Sequence, residues 1–408
     1  MSADAGTTEA ALPSYSLGAI ARRRLDALRA GDVGTLPIIV GLIGIVIFFY
    51  TKNSNFLAAG NFTNLMTQMA GLTTIAIGVV FVLLLGEIDL SISYLSGIAG
   101  VVVAQLQIPD SSWEVKGVVA IAIAVAVTAV IGGLQGSFVA LVGIPSFVVT
   151  LAGLLFWQGM ILHTIGGAGV IIIEDTTINN VTNYFFTDKA GFIIAAVATG
   201  LFALASVAGV VSRRRHGIHT DNLILAGAKV VFVGAIIFGA VIWANKERGF
   251  PLAMLLVIIF LVFWTWVAER TTFGRHVYAV GGNAEAARRA GINVKRIRIQ
   301  VFMISGLMAG FGGVILAARL NSVDTNAGGG TLLLDAISAA VIGGTSLFGG
   351  RGRVISALMG ALVISTVGNG LNLLGYSSAI QYMVTALILL SAVTLDAVSR
   401  RKLAQAGR

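Results

Sequence analysis

The stretch "FGRHVYAVGGNAEAARRAGINVKRIR", Phe273–Arg298, lies between two apolar runs, 251–268 and 300–318. It carries six Lys/Arg and one Glu in 26 residues of a chain that is only 11% charged. Each flanking run is close to the about 20 residues that a membrane-crossing helix needs. A dense basic segment between two such runs is the pattern of a loop on the positively charged, inner side of a membrane. The whole composition agrees. A soluble domain carries about 25% charged residues, whereas this chain of 408 residues is 57% hydrophobic with a mean hydropathy of +0.92. The expected fold class is therefore an all-α polytopic membrane protein. The 51 glycines fit it, because small residues let helices approach closely where lipid supplies no hydrophobic drive.

Working outward, twelve apolar segments are expected at 36–51, 64–85, 91–107, 117–135, 145–162, 191–211, 222–243, 251–268, 300–318, 332–348, 354–372 and 377–396, with 10 to 14 crossings compatible with the pattern. Segments 91–107 and 332–348 are short enough to be half-helices or re-entrant. Twelve crossings put both termini on the cytoplasmic side. Residues 1–35, with Arg22, Arg23, Arg24 and Arg29, read as a retained cytoplasmic tail, since no apolar run precedes that cluster. Residues 36–396 form the transmembrane domain, 269–299 its largest inner loop, and 397–408 a cytoplasmic C-terminal tail. With that orientation 20 of the 27 basic residues fall inside and six outside, while Lys229 lies within a span. The net charge of +9 then anchors the chain to inner-leaflet lipids, and no soluble domain exists to carry a nucleic-acid footprint. The longest outer loop, 163–190, is open to two readings: a surface that meets sugar or protein, or a polar connector.

The island itself reads as a capped helix. Asn283 is a good N-cap, Ala284–Ala290 are strong helix formers, and Gly291 suits the C′ position. Glu285 in the first turn and Arg288 and Arg289 in the last match the helix dipole. Ala286, Ala287 and Ala290 give one small face that could enter a shallow groove. Two turns are too short to be stable alone in water, so flanks or a partner must hold them. A loop resting on anionic headgroups is the other reading, though it does not call for caps.

The segment "TTFGRHVYAVGGNAEAARRAGINVKRIRIQVFMISGLMAGFGGVILAARL" (271–320) resembles the membrane permeases of sugar ABC importers of the ribose/xylose type, within the branched-chain permease superfamily. "GEIDLSIS" (86–93), "GIPSFVVTLAGLLF" (143–156) and "AISAAVIGGTSLFGGRGRVISALMGALVIS" (336–365) resemble further blocks of that family, in the same order. The resemblance covers most of 60–396. It implies a type II importer-like permease, in which Asn283, Glu285, Ala286, Ala287, Arg288, Arg289, Ala290 and Gly291 dock into the cytoplasmic ATPase as a coupling helix. It also implies a homodimer, an extracytoplasmic sugar-binding protein, and a bacterial cytoplasmic membrane. ATP and Mg would be used by the partner ATPase, with no cofactor bound by this chain. The extra pair of segments around 191–243 is as in longer xylose-type members, so a pentose such as xylose is the expected cargo. An ion-gradient-driven sugar carrier and a branched-chain amino-acid permease are the alternatives.

No catalytic or metal-binding arrangement stands out: the chain has no cysteine and four histidines. Gly344–Arg351 lacks the lysine and hydroxyl residue of a phosphate loop and reads as a tight inner turn, and "LSGIA" (95–99) lies within an apolar segment. Candidate residues of the path or its gate are Glu87, Asp89, Ser91, Asp335, Asn369 and Asn372. Glu87 and Asp89 sit between two apolar segments, where each would cost about 2.5–3.5 kcal/mol at mid-bilayer. A broken-helix junction, with Asp89 capping a helix that begins near Leu90, is the cheaper placement; gating or a dimer contact is the other. Asp335 opens a short helix, where a carboxylate is favoured. Asn369 and Asn372 share a face and could line a path or bond helices together. "VIGG" recurs at 130–133 and 341–344, a weak echo of an internal repeat.

Overall fold

The structure, a computed structural model, describes residues 36–109, 111–215 and 223–405. The elements run α1 Leu36–Lys52, α2 Ala59–Leu84, α3 Ile92–Gln105, α4 Gly117–Ser137, α5 Ser146–Ile165, β1 Val170–Ile172, α6 Thr176–Asn183, β2 Phe185–Phe186, α7 Asp188–Arg215, α8 Leu223–Ala244, β3 Phe250–Pro251, α9 Leu252–Arg270, α10 Thr272–Gly282, α11 Ala284–Arg289, α12 Val294–Leu320, β4 Ser322–Asp324, α13 Leu332–Ile342, α14 Ile355–Leu373 and α15 Ser378–Gln405. The tail 1–35 lies outside the described residues, and α15 continues through residue 397 into the segment expected as a C-terminal tail.

Every apolar segment named above carries a helix, although 332–348 is helical only as far as Ile342. Among the described residues eight helices are long and apolar enough to cross a membrane, and four apolar helices are shorter, at 37–52, 92–105, 332–342 and 378–391. At about 1.5 Å per residue, α3 and α13 reach roughly 21 and 16 Å, short of the about 30 Å hydrocarbon core. These are the two segments whose lengths suggested half-helices.

Among the described residues, 192–215, 223–240 and 399–405 form one compact unit, and 36–109, 111–191 and 241–398 another. The first holds most of α7 and α8, where Gly234 faces Thr199. Its apolar side chains, among them Leu201, Leu204, Val231 and Phe232, are exposed as lipid-facing chains would be.

In the larger unit α12 is the axis. It packs against α2, α3 and α4, and its sequence explains how. The run "SGLMAGFGG" (305–313) removes side chains where other backbones pass. A Cβ at Gly306 would collide with the Thr128 carbonyl of α4, and one at Gly313 with the Ser96 carbonyl of α3; from the other side, Gly132 meets the Phe302 carbonyl. Small residues on both partners are what lipid-embedded helices need for close van der Waals contact. Buried hydroxyls make few demands on this packing. Thr73, Thr74 and Thr128 bond carbonyls one turn back at 2.7, 2.8 and 3.1 Å, the local solution open to Thr in a helix.

The 163–190 loop gains a fold here, and one sequence expectation changes. The 163–190 segment is a folded cap. β1 pairs antiparallel with β4, setting Ile171 opposite Val323, and β2 pairs with β3. Asp175 caps α6 by accepting from the Ile178 amide at 2.9 Å, and Ile178 is fully buried. Asn179 donates to the Ile173 carbonyl at 2.7 Å and Asn183 to Asn321 Oδ1 at 3.0 Å. Its polar content therefore ties the cap to the end of α12. The "VIGG" echo has no structural counterpart: 130–133 lies inside α4, whereas 341–344 ends α13 with Gly344 at φ +102°.

Replacing Gly306 by Val is expected to lower stability by at least the about 1–3 kcal/mol of an overpacked core. A drop in the melting midpoint of detergent-solubilised protein, absent for Gly368→Ala where no atom lies near, checks it.

Candidate coupling site and the junction behind it

The island forms the expected helix, one residue shorter than the spacing suggests. Asn283, at φ −162° and ψ 99°, caps α11 by accepting from the Ala286 amide at 2.9 Å. At the other end Gly291 takes φ +85°. The Gly291 amide donates to the Arg288 carbonyl at 3.0 Å and the Ile292 amide to the Ala287 carbonyl at 3.1 Å. That nested pair satisfies the Ala287 and Arg288 carbonyls and requires a residue tolerant of the left-handed region. Glu285 does more than complement the dipole: it pairs with Arg288 at 2.6 Å and Arg289 at 3.2 Å. Both arginines are highly exposed, so the pairs order the surface of α11 and add little stability. One reading is corrected. Ala287 is 5% exposed and belongs to the chain's own core, leaving Ala286 and Ala290 on the open surface. The Ala287 methyl fastens α11 down and is not offered to a partner.

Behind α11, three glycine-bearing segments meet. A Cβ at Gly281, at the end of α10, would strike the Leu84 carbonyl, while Gly349, at φ +82°, lies against Gly281 and Gly86. The Gly350 amide donates to the same Leu84 carbonyl at 2.9 Å. The 344–351 run is thus the tight turn its composition implies, and it joins the end of α2 to the island. Tyr278 of α10 adds a bond from its hydroxyl to the Gly352 carbonyl at 2.9 Å. Burial, reinforced by the charge of Glu269, holds this phenol above its ordinary pKa and keeps it a donor.

The residues between α2 and α3 form a broken-helix junction, and α12 grips it twice. Glu87 pairs with Arg298 at 3.1 Å, with the side chains 15% and 33% exposed. Asp89 is buried. Its Oδ1 accepts from the Ser91 amide at 3.0 Å and the Ser91 hydroxyl at 2.7 Å, and its Oδ2 accepts from the Ser305 hydroxyl at 2.7 Å. Arg298 and Ser305 are seven residues apart, two turns along one face of α12. Asp89 does not cap a helix beginning near Leu90 as expected; α3 begins at Ile92 with Ser91 as its N-cap, and Asp89 holds the Ser91 amide from the turn before it. Ser91 also sits 2.9 Å from Gln135 Oε1 of α4. Ser305, Gln135 and Arg298 are contact partners of this junction that the sequence alone did not single out; separations of up to 216 residues leave no local signal.

The remaining candidates separate. Asn369 is 5% exposed and exchanges amide hydrogen bonds with Asn61 at 2.8 and 3.0 Å, so it joins α14 to α2. Asn372 and Asp335 instead line one cavity with Gln68, Ser365 and Tyr382. The six-residue α11 and this cavity are therefore distinct places. Among the described residues no His/Cys/Asp/Glu group could hold a metal ion.

Comparison with known proteins identifies the family. Residues 61–393 match the family described as "Branched-chain amino acid transport system / permease component". The chain belongs to this permease family. It is 34% identical to the xylose transport system permease protein XylH of Escherichia coli (strain K12), over 92% of this chain and 95% of that protein. XylH of Haemophilus influenzae is also 34% identical, over 92% and 99%. The ribose import permease protein RbsC of Bacillus subtilis is 32% identical, over 90% and 94%. No solved structure matches. The chain is a multi-pass membrane permease.

The Glu87–Arg298 pair is intermediate between an exposed pair, worth about 0–1 kcal/mol, and a buried one whose breaking costs about 3–5 kcal/mol. Glu87→Gln and Arg298→Gln are each expected to destabilise the permease, and the double variant by less than their sum. Additive melting shifts would show that the two charges are not coupled.

Proposed function

We propose that this permease forms the translocation pathway of an ATP-driven importer of a pentose, xylose first, in a bacterial cytoplasmic membrane. The observation that carries the reading is the near end-to-end similarity to XylH, 34% over 95% of that protein. The relatives reported above favour a sugar over an amino acid, although the family description mentions branched-chain amino acids. About twelve membrane segments, α3 and α13 among them as half-helices, leave both termini cytoplasmic, 1–35 and 397–408 being tails. It works as a homodimer with a cytoplasmic ABC ATPase, which hydrolyses Mg-ATP, and with an extracytoplasmic sugar-binding protein. Residues 283–291 are the ATPase-docking helix. Its caps, its exposed arginines and the glycine contacts beneath it support that role, because force on α11 passes to the junction at 86–91 and to α12. Substrate choice rests mainly with the binding protein.

Uptake of labelled xylose and ribose, in cells with and without this chain, tests the reading. Uptake that requires the chain, stops on ATP depletion and persists with an uncoupler is expected. Uptake that survives ATP loss and collapses with the uncoupler would make it a gradient-driven carrier.

A second expectation concerns the docking helix. Proline cannot adopt φ +85° and has no amide to give Arg288, a mismatch worth about 3 kcal/mol or more. Gly291→Pro should insert normally yet cut ATP-driven uptake at least about tenfold, as should Arg288→Ala to a lesser degree. Full-rate import by both variants would return the island to a headgroup-binding loop.

A further inference from the structure

In a chain this apolar, a polar side chain away from water is expected to have a partner. Asp89 and Asn369 do. Asp335 breaks the rule in one atom. Its Oδ2 accepts from the Thr331 hydroxyl at 2.7 Å, while Oδ1 is buried without a hydrogen-bond partner in the chain. Asp335 stands in the first turn of α13, a helix too short to cross the bilayer, and borders a cavity of about 210 Å³.

The cavity is built by five helices and is chemically two-sided. Leu72, Ile364 and Leu371 give an aliphatic wall; Gln68, Thr331, Asp335, Ser365, Asn372 and Tyr382 give a polar one. Two of these polar groups are held by neighbours that line the same cavity. Thr331 fixes the Asp335 carboxylate, and Gln381 Nε2 donates to Asn372 Oδ1 at 2.7 Å, which leaves the Asn372 amide hydrogens as donors. Pinned groups of this kind make a site pre-organised.

From this geometry we infer that the Asp335–Asn372 cavity is a binding station for a single sugar ring within the permease, with the Asp335 carboxylate accepting from a sugar hydroxyl and Asn372 donating to one. The inference rests on the sugar-import reading above and deepens it. A carboxylate is the strongest acceptor a hydroxyl can find, because a charged partner shortens and strengthens the bond. Amides and hydroxyls supply the matching donors, and the aliphatic wall suits the C–H face of a pyranose or furanose. The volume is below the about 300–1,000 Å³ of drug-sized sites, which selects a monosaccharide over a longer saccharide. Each protomer carries the complete set on its own α2, α12, α13, α14 and α15, so the station does not require residues from a second copy. It is a low-affinity stop: one carboxylate and a few neutral groups hold sugar long enough to replace its water, and weakly enough to release it.

The test uses the complete importer in proteoliposomes: this chain, its ATPase and its binding protein, with labelled D-xylose and D-ribose. The quantity read is sugar moved per ATP hydrolysed. Asp335→Asn keeps an acceptor but removes the charge that strengthens the bond, and is expected to lower the ratio about tenfold. Asn372→Leu, which leaves the carboxylate and its Thr331 bond in place, should lower it in the same direction, and guards against a folding defect in the first variant. Ratios within twofold of wild type for both variants would overturn the station. So would a parallel fall of uptake and ATP hydrolysis, which marks a structural or coupling role. If the wild-type importer moves neither sugar, the sugar-import reading fails and the station fails with it.

Discussion

Helix backbones can touch only where no side chain stands between them, and in lipid that contact must hold the bundle together without a hydrophobic effect. Gly132, Gly306 and Gly313 meet this constraint around α12, each against a carbonyl of a neighbouring helix. The arrangement of α2, α3 and α4 depends on it. A thin, uninterrupted α12 also has a mechanical consequence. Asn293 caps it by accepting from the Arg296 amide at 3.0 Å, only a few residues after α11 ends. The rod that organises the core therefore begins at the island.

The polar groups of the core are arranged around the same rod. Arg298 holds Glu87 and Ser305 holds Asp89, so the break between α2 and α3 is clamped to α12 at two heights. Neither carboxylate is left to solvate itself, which removes most of the cost of placing charge in an apolar chain. A junction that is satisfied only while α12 keeps its register can respond to the position of α12. The glycine contacts among 86, 281 and 349–350 give the island a second hold on the same junction.

Much of this was legible in advance, and where it was not the reason is physical. Asn283 and Gly291 could be recognised because caps act within four residues of chain, and their hydrogen bonds fall where the spacing puts them. The shortness of α3 and α13 was readable for the same reason: length is a local property. Ala287 was misread as an open face because sequence shows helix periodicity but not which side the protein covers. Asn369 and Asn372 looked equivalent at i and i+3, yet one meets Asn61 of α2 and the other faces a cavity.

The sequence by itself determined the class, the twelve apolar helices, the position of the basic island and the caps that shape it, since hydropathy and capping are properties of neighbouring residues. Only the tertiary structure decided that Glu87 finds Arg298, that Asp89 finds Ser305 across 216 positions, and that Asp335 keeps one oxygen without a partner. Those outcomes depend on which helix faces close on one another. That is set by glycine contacts far apart in the chain, and no local pattern encodes it.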